Sequence, residues 1–218
     1  MCIRDRNGYL AMEPGILDLC AQALAALGAV GCDVVDYQVP FAGDRLWRIW
    51  LAHRHLMVGG QFHALVENPD TRKLVKPALI WEVEGLEGMT ARQVYQATEE
   101  RSAWYQTVLR MFDEVDFLAV PSAQVFPFDA ALDWPKQIAG RPMDTYHRWM
   151  ETVTPWTLAG CPVISVPVGF NAQGLPMGMQ LVGPPQADRD VLCLAHAYEQ
   201  ASDWVHARQP EALWRESA

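Results

Sequence analysis

Several things this chain does not contain narrow what it does. No stretch approaches the roughly 20 consecutive apolar residues that a membrane-spanning helix needs. No charged, apolar, then small-residue leader opens it, so a soluble, cytoplasmic protein is expected. Basic residues are scarce, 17 Lys and Arg against 26 Asp and Glu, and the formal charge is -9. That balance argues against a nucleic-acid or anionic-membrane partner, either of which needs clustered cations to replace displaced counterions. The cysteines number five, Cys2, Cys20, Cys32, Cys161 and Cys193, an odd count without C-x-x-C spacing. Reduced thiols fit this better than a disulfide framework, and Cys161 and Cys193 read as core residues, with no His or Asp placed by sequence to activate them. No G-x-S-x-G elbow occurs, which removes the common α/β-hydrolase nucleophile.

What is present is enough for one globular core: 218 residues, 50% hydrophobic and 20% charged. Met1 to Arg6 has no periodicity and reads as a non-native start, residues 7–203 as one domain and 204–218 as a tail. From Pro14 a helix carries Leu17, Cys20, Leu24 and Leu27 on one face and stops at Gly28 and Gly31. Asp33 to Val39 alternates as a strand, with Val35, Tyr37 and Val39 inward. Phe41 to Val66 predicts a helix interrupted at Gly59 and Gly60, and 68–87 has no clear pattern. Thr90 and Gln93 form a capping box for a long helix whose stripe includes Val94, Ala97, Trp104, Val108, Met111 and Val115. Phe117 to Pro121 reads as a buried strand, the run to Pro142 as an extended loop pinned by Phe126 and Trp134, and Asp144 to Leu158 as a helix. Beyond Gly183, Asp188 is placed to cap a last helix with Val191, Ala195 and Tyr198 inward.

The densest information lies from Thr154 to Gly183. Gly160 closes a helix, Pro162 forbids its resumption, and the β-branched run Val163, Ile164, Val166 and Val168 begins a strand. Asn171 to Pro176 supplies a turn, and Met177 to Val182 returns as a second strand in which Gly178 leaves room for close approach. Gly160, Pro162, Ser165, Pro167 and Gly169, followed by Gly174, Leu175, Pro176, Gly178, Gln180 and Gly183, resemble the C-terminal signature of the amidase signature family. The resemblance implies an α/β fold, the C-terminal part of a three-layer α/β/α sandwich with a mixed sheet. It also implies hydrolysis of a carboxylic amide through an acyl-serine intermediate, using a serine nucleophile, a second serine on a cis peptide and a lysine base.

Those three groups lie in a glycine- and serine-rich region that has no counterpart here. The lysines are Lys73, Lys76 and Lys136, and none precedes such a run at a workable distance. The expectation is therefore a C-terminal fragment of an amidase, truncated and inert by itself, with no catalytic residue and no cofactor of its own. A catalytically silent binding module on the same fold is the alternative from another class. An amidotransferase component that works with aminoacyl-tRNA is the runner-up within the family, and the acidic balance and the bulky Trp156 give it no support. Loss of half a sheet also predicts an apolar edge that promotes aggregation or dimerisation to a homodimer.

Substrate-wall candidates are Ser122 at the end of a strand, Trp149, Thr154 and Trp156 just before the signature, and Arg101, which occupies an apolar position of its stripe. Each has a plainer reading: aromatic packing for the tryptophans, and for Arg101 a packed stem with its head in water or on a carboxylate. Ser165 reads as structural. His53, His55 and His63 are no metal set, because on a helix His53 and His55 point about 200° apart and no carboxylate or thiolate completes them. The partner expected for the complete protein is a small-molecule amide, in an apolar pocket that nine tryptophans favour.

Overall fold

The computed structural model describes residues 5 and 7–208. The expected non-native start at residues 1–6, Asp5 apart, and the tail from 209 to 218 lie outside the described residues. Nine α-helices and five strands are described, and the sheet at the centre has three strands, β1 (Leu118–Pro121), β4 (Val163–Phe170) and β5 (Pro176–Val182), in the order β1-β5-β4. Both pairings are antiparallel, with Val120 and Ser165 each opposite Gln180. The short β2 (Gln137–Ile138) and β3 (Arg141–Pro142) form a separate hairpin, also antiparallel. The helix-and-sheet class is as expected, and no parallel pairing occurs among the described residues.

The β4–β5 ribbon forms for the reasons visible in its sequence. Helix α7 (Thr154–Ala159) ends on Gly160 in the left-handed region at φ 68°, where a Cβ carries a steric cost. In the turn, the Asn171 side-chain oxygen accepts from the backbone N–H groups of Gln173 and Leu175 at 3.0 and 2.9 Å, a local bond that fixes the reversal. The register shifts between Pro167 and Gly169, so a bulge bends β4 near its end.

Alternation then sorts the two faces. Val166 and Val168 on β4, Met177, Met179 and Leu181 on β5 and Ala119 on β1 pack against α1 (Ile16–Ala29) and α8 (Asp188–Ser202), with Ile16, Cys20, Ala23, Leu27, Ala195 and Tyr198 buried among them. The opposite face presents Leu118, Val120 and Val182 to α2 (Gly43–Arg54), α6 (Ala91–Glu114) and α7, through Leu46, Ile49, Trp104, Val108, Met111, Trp156 and Leu158. Two helical layers enclosing one sheet make the three-layer arrangement. On that second face the β4 end is uncovered: Val163, Ser165 and Pro167 are all exposed.

Some sequence expectations need correction. Asp33–Val39 stays extended, with a single bridge at Asp36 and no ladder among the described residues, and Val35 is 44% exposed. The helix expected over Asp144–Leu158 begins as turns and a 3-10 segment, Arg148–Val153, kinked at Met150, before α7. Asp188 lies inside the first turn of α8, and the cap position is Ala187. The interruption at Gly59 and Gly60 is a π turn over His55–Gly59 that joins α2 to α3 (Gly60–Glu67) without a break. Residues 68–87 hold α4 (Pro69–Arg72) and α5 (Pro77–Glu87), and the segment beyond Ser202 holds α9 (Trp204–Ala207). Cys193 is exposed and Cys161 only half-buried, whereas Cys20 is in the core.

The Thr90 capping box is present, with Thr90 N–H donating to Gln93 Oε1 at 2.8 Å. Thr90→Ala is expected to cost about 1 kcal/mol, and Leu118→Ala, at a fully buried position of the sheet, about 2–5 kcal/mol. Urea unfolding of the two variants checks both the size and the order of these losses.

Candidate functional site

The end of β1 is where sheet, loop and helix meet. The Pro121 carbonyl accepts two buried hydrogen bonds, from Thr152 Oγ1 at 3.0 Å and Gln180 Nε2 at 2.9 Å. The next residue, Ser122, donates its N–H to the Gly178 carbonyl at 2.9 Å, and its hydroxyl lies 2.6 Å from the Ser165 hydroxyl. Gly178 is required there: a Cβ would stand 2.8 Å from Ser165 Oγ and 3.0 Å from Ser122 Oγ. Three signature positions, Ser165, Gly178 and Gln180, thus fix the place at which Ser122 leaves the sheet. Neither hydroxyl has an imidazole, ammonium or carboxylate among its hydrogen-bond partners in the described residues, and a serine without a base is a poor nucleophile. Among the described residues this corner has groups that can bind and position.

The other candidates occupy separate settings. Thr154 and Trp156 are buried: Thr154 Oγ1 donates to the Glu151 carbonyl at 2.9 Å, and the Trp156 ring packs 6.0 Å from Trp104, whose indole N–H donates to the Pro155 carbonyl at 2.8 Å. Trp149 lies half-buried in a small satellite cluster with Val125, Ile138 and Met143, edge-on to Phe128. Arg101 donates from Nε to the Leu158 carbonyl at 2.8 Å, where it satisfies the C-terminal end of α7 and complements its dipole. The three helix histidines also diverge. His55 turns to Glu82, His63 pairs with Glu67, and His53 Nε2 is buried without a hydrogen-bond partner among the described residues. No group of three or more possible metal ligands occurs among the described residues.

A polar cluster that the sequence did not disclose lies between α2, α5 and the 144–151 segment. Glu82 is 2% exposed; its Oε1 accepts from Arg54 Nε at 2.7 Å, and His147 Nε2 lies 3.1 Å from the same oxygen. His55 Nδ1 donates to the Glu82 backbone carbonyl at 3.0 Å. The approach depends on Gly85, where a Cβ would overlap the His55 ring, and on the π turn that carries His55. His147 is itself 4% exposed, ringed by Trp50, Trp81 and Tyr146. Burial, followed by the Arg54 and His55 charges, lowers its pKa to about 4. The adjacent carboxylate pulls the other way, but Arg54 already neutralises Glu82, so an imidazolium would be an uncompensated buried charge. Beside this cluster, Arg148 grips both oxygens of Asp144 and reaches Glu151 at 3.1 Å, which holds the Asp144 carboxyl below its ordinary range. Glu82 and His147 are far apart in the chain, and the one local hint was a glutamate within the apolar run of α5.

Comparison with known proteins fits this geometry. The family described as Amidase matches residues 3–192. A glutamyl-tRNA(Gln) amidotransferase subunit of Synechococcus sp. (strain RCC307) is 30% identical over 229 residues, covering 92% of this chain and 44% of that protein. Among solved structures, a bacterial aryl acylamidase of the amidase signature enzymes superimposes with a TM-score of 0.83 at 24% identity, over 96% of this chain and 45% of that one. A 6-aminohexanoate cyclic dimer hydrolase gives 0.74 at 22% identity, over 97% and 46%. The chain thus spans less than half the length of these relatives.

The neutral His147 makes stability depend on pH. Below about 6.5 the unfolded chain takes up a proton that the folded imidazole refuses, so stability falls as pH drops from about 6.5 toward 4, by up to about 3 kcal/mol. Above that window its contribution is constant. Urea midpoints measured from about pH 4.5 to about pH 7.5 should show a shallower slope in His147→Gln than in the unaltered chain.

Proposed function

The chain belongs to the amidase family, and on that premise we propose that it is the C-terminal scaffold and part of the substrate wall of an enzyme that hydrolyses a carboxylic amide through an acyl-serine intermediate. The observation that carries this is the Ser122–Ser165–Gly178 corner: a built, partly open edge of the sheet, formed by residues of the family signature and with no base bonded to either hydroxyl among the described residues. In the complete mechanism that the resemblance implies, a serine hydroxyl attacks the amide carbon, its proton passes by way of the cis-serine and lysine to the leaving nitrogen, and water then releases the acid. This chain supplies none of those proton-transfer groups. Its contribution is the rigid strand end at Pro121 and the surface beside it, with Ser122 at the rim and Trp149, Thr154, Trp156 and Arg101 as wall or supporting residues.

The exposed Val163, Ser165 and Pro167 face supports the reading of a fragment, since it leaves one end of the sheet without a covering layer. A second copy covering that face would give a homodimer. Reduced cysteines and an acidic surface are compatible with the cytoplasm, and no described helix is long and apolar enough to cross a membrane.

A second reading, an amidotransferase component, is favoured by the name that the Synechococcus relative carries. Trp156 does not count against it, because that ring is 1% exposed and packs in the core against Trp104. Separating the two readings is a matter of substrate: glutamine-dependent ammonia release in one case, direct hydrolysis of other amides in the other.

The purified chain is expected to show no turnover of simple aryl or alkyl amides and no labelling by a serine-directed fluorophosphonate. Sustained turnover would place the chemistry inside these boundaries and overturn the proposal. In an active enzyme containing this chain, Arg101→Ala is expected to lower the melting temperature by freeing the Leu158 carbonyl at the end of α7; a raised KM for the amide, measured where the variant is fully folded, would show that Arg101 also touches substrate, and an unchanged KM would assign it to the end of α7 alone.

A further inference from the structure

A cavity of about 350 Å3 opens beside the buried Glu82–His147 pair, between the end of α2, the first turn of α5, the loop at Asp133 and Trp134, and the turn at Tyr146. We propose that this cavity is a binding site for a small carboxylate with a flat apolar body, its carboxylate held between Lys76 and Arg54 and its body between Trp134 and Tyr146. The site is independent of the acyl-transfer reading, because it uses none of the residues at the Ser122 corner.

The donors are uncommitted. The Lys76 ammonium has no ion pair or hydrogen bond among the described residues, its backbone carbonyl alone being engaged, at the start of α5. Arg54 spends its Nε on Glu82, which leaves the terminal guanidinium nitrogens without hydrogen-bond partners among the described residues, on a side chain 39% exposed. Lys76 also occupies the cap position of α5 with no side chain capping the helix, whereas Asn68 and Thr90 cap α4 and α6. Pro77 has no N–H and the Leu79 N–H is bonded to the Lys76 carbonyl, so the first turn of α5 leaves the Ala78 N–H at the positive end of its dipole. The acidic floor does not oppose an anion, since Glu82 is neutralised by Arg54 and His147 carries no charge at neutral pH.

One group does oppose it. Asp133 lines the cavity and has no ion pair among the described residues, so it sets the affinity against Lys76, because the Arg54 charge is already balanced by Glu82 and Arg54 contributes hydrogen-bond donors. The walls suit a ring: Pro77, Ala78 and Leu79 are apolar, and Trp134 already carries the Lys136 ammonium 3.4 Å from its ring centroid, which fixes the indole in place. The volume is at the small end of ligand pockets, appropriate to a single ring with one charged group.

The test is titration of the full chain with benzoate, benzamide and benzylamine by calorimetry, with the Trp134 indole N–H followed by NMR. Benzoate is expected to saturate and to shift the Trp134 signal, benzamide to bind about tenfold more weakly for want of a charge-assisted bond, and benzylamine not to bind. Lys76→Met should weaken benzoate about tenfold while leaving benzamide unchanged, and Asp133→Asn should tighten benzoate. Both positions are exposed, so both variants fold. Equal affinity for benzoate and benzylamine, indifference of benzoate to Lys76→Met, or no saturation in the millimolar range would each overturn the proposal.

Discussion

The placement of β5 between β1 and β4 is the constraint on which the other features rest. One strand must satisfy hydrogen bonds on both edges and pack side chains on both faces, so its register admits no slip without turning Met179 and Leu181 out of one core and Val182 out of the other. Gly178 and Gln180 lie on that strand for the same reason. Gly178 leaves room for the Ser122–Ser165 contact, and Gln180 reaches across to the Pro121 carbonyl. A motif that reads as a string of fixed letters is, physically, the specification of one strand's neighbours.

From that strand the rest of the corner follows. Thr152 and Gln180 both spend a donor on Pro121, which anchors the 3-10 segment before α7 to the end of β1. Arg101 closes the other end of α7, and Trp104 holds Pro155 between them. Short as it is, α7 is fixed at its start, middle and end by side chains from elsewhere. A six-residue helix has little stability of its own, so its position is a product of these long-range bonds and is rigid because they are buried or part-buried.

The charged cluster follows a different rule. Glu82 is tolerated in the interior because Arg54 neutralises it, with the His147 imidazole beside the same oxygen and His55 bonded to the Glu82 backbone carbonyl. Removing any one partner leaves an unpaired buried group, which is why the π turn and Gly85, both unfavourable in a plain helix, are kept. The same arrangement turns the free faces of Arg54 and Lys76 toward the neighbouring cavity, so a structural ion pair also shapes a pocket.

Local chemistry decided what could be read from the residues alone. Gly160 and Pro162 stop one helix, Asn171 and Gly174 reverse the chain, Thr90 and Gln93 start another helix, and β-branched alternation forms the ribbon between them; each acts over a few residues and so is written in consecutive letters. Trp104, Val108 and Met111 were legible as a core stripe for the same reason. Tertiary packing decided the remainder. It withheld a ladder from Asp33–Val39, whose alternation is genuine but which pairs at a single bridge among the described residues. It took Trp156 into the core, gave Arg101 a carbonyl to cap, and brought Glu82 to His147 from a distant part of the chain. Pairings of that kind depend on which surfaces meet after the helices have packed, and no short-range propensity encodes them.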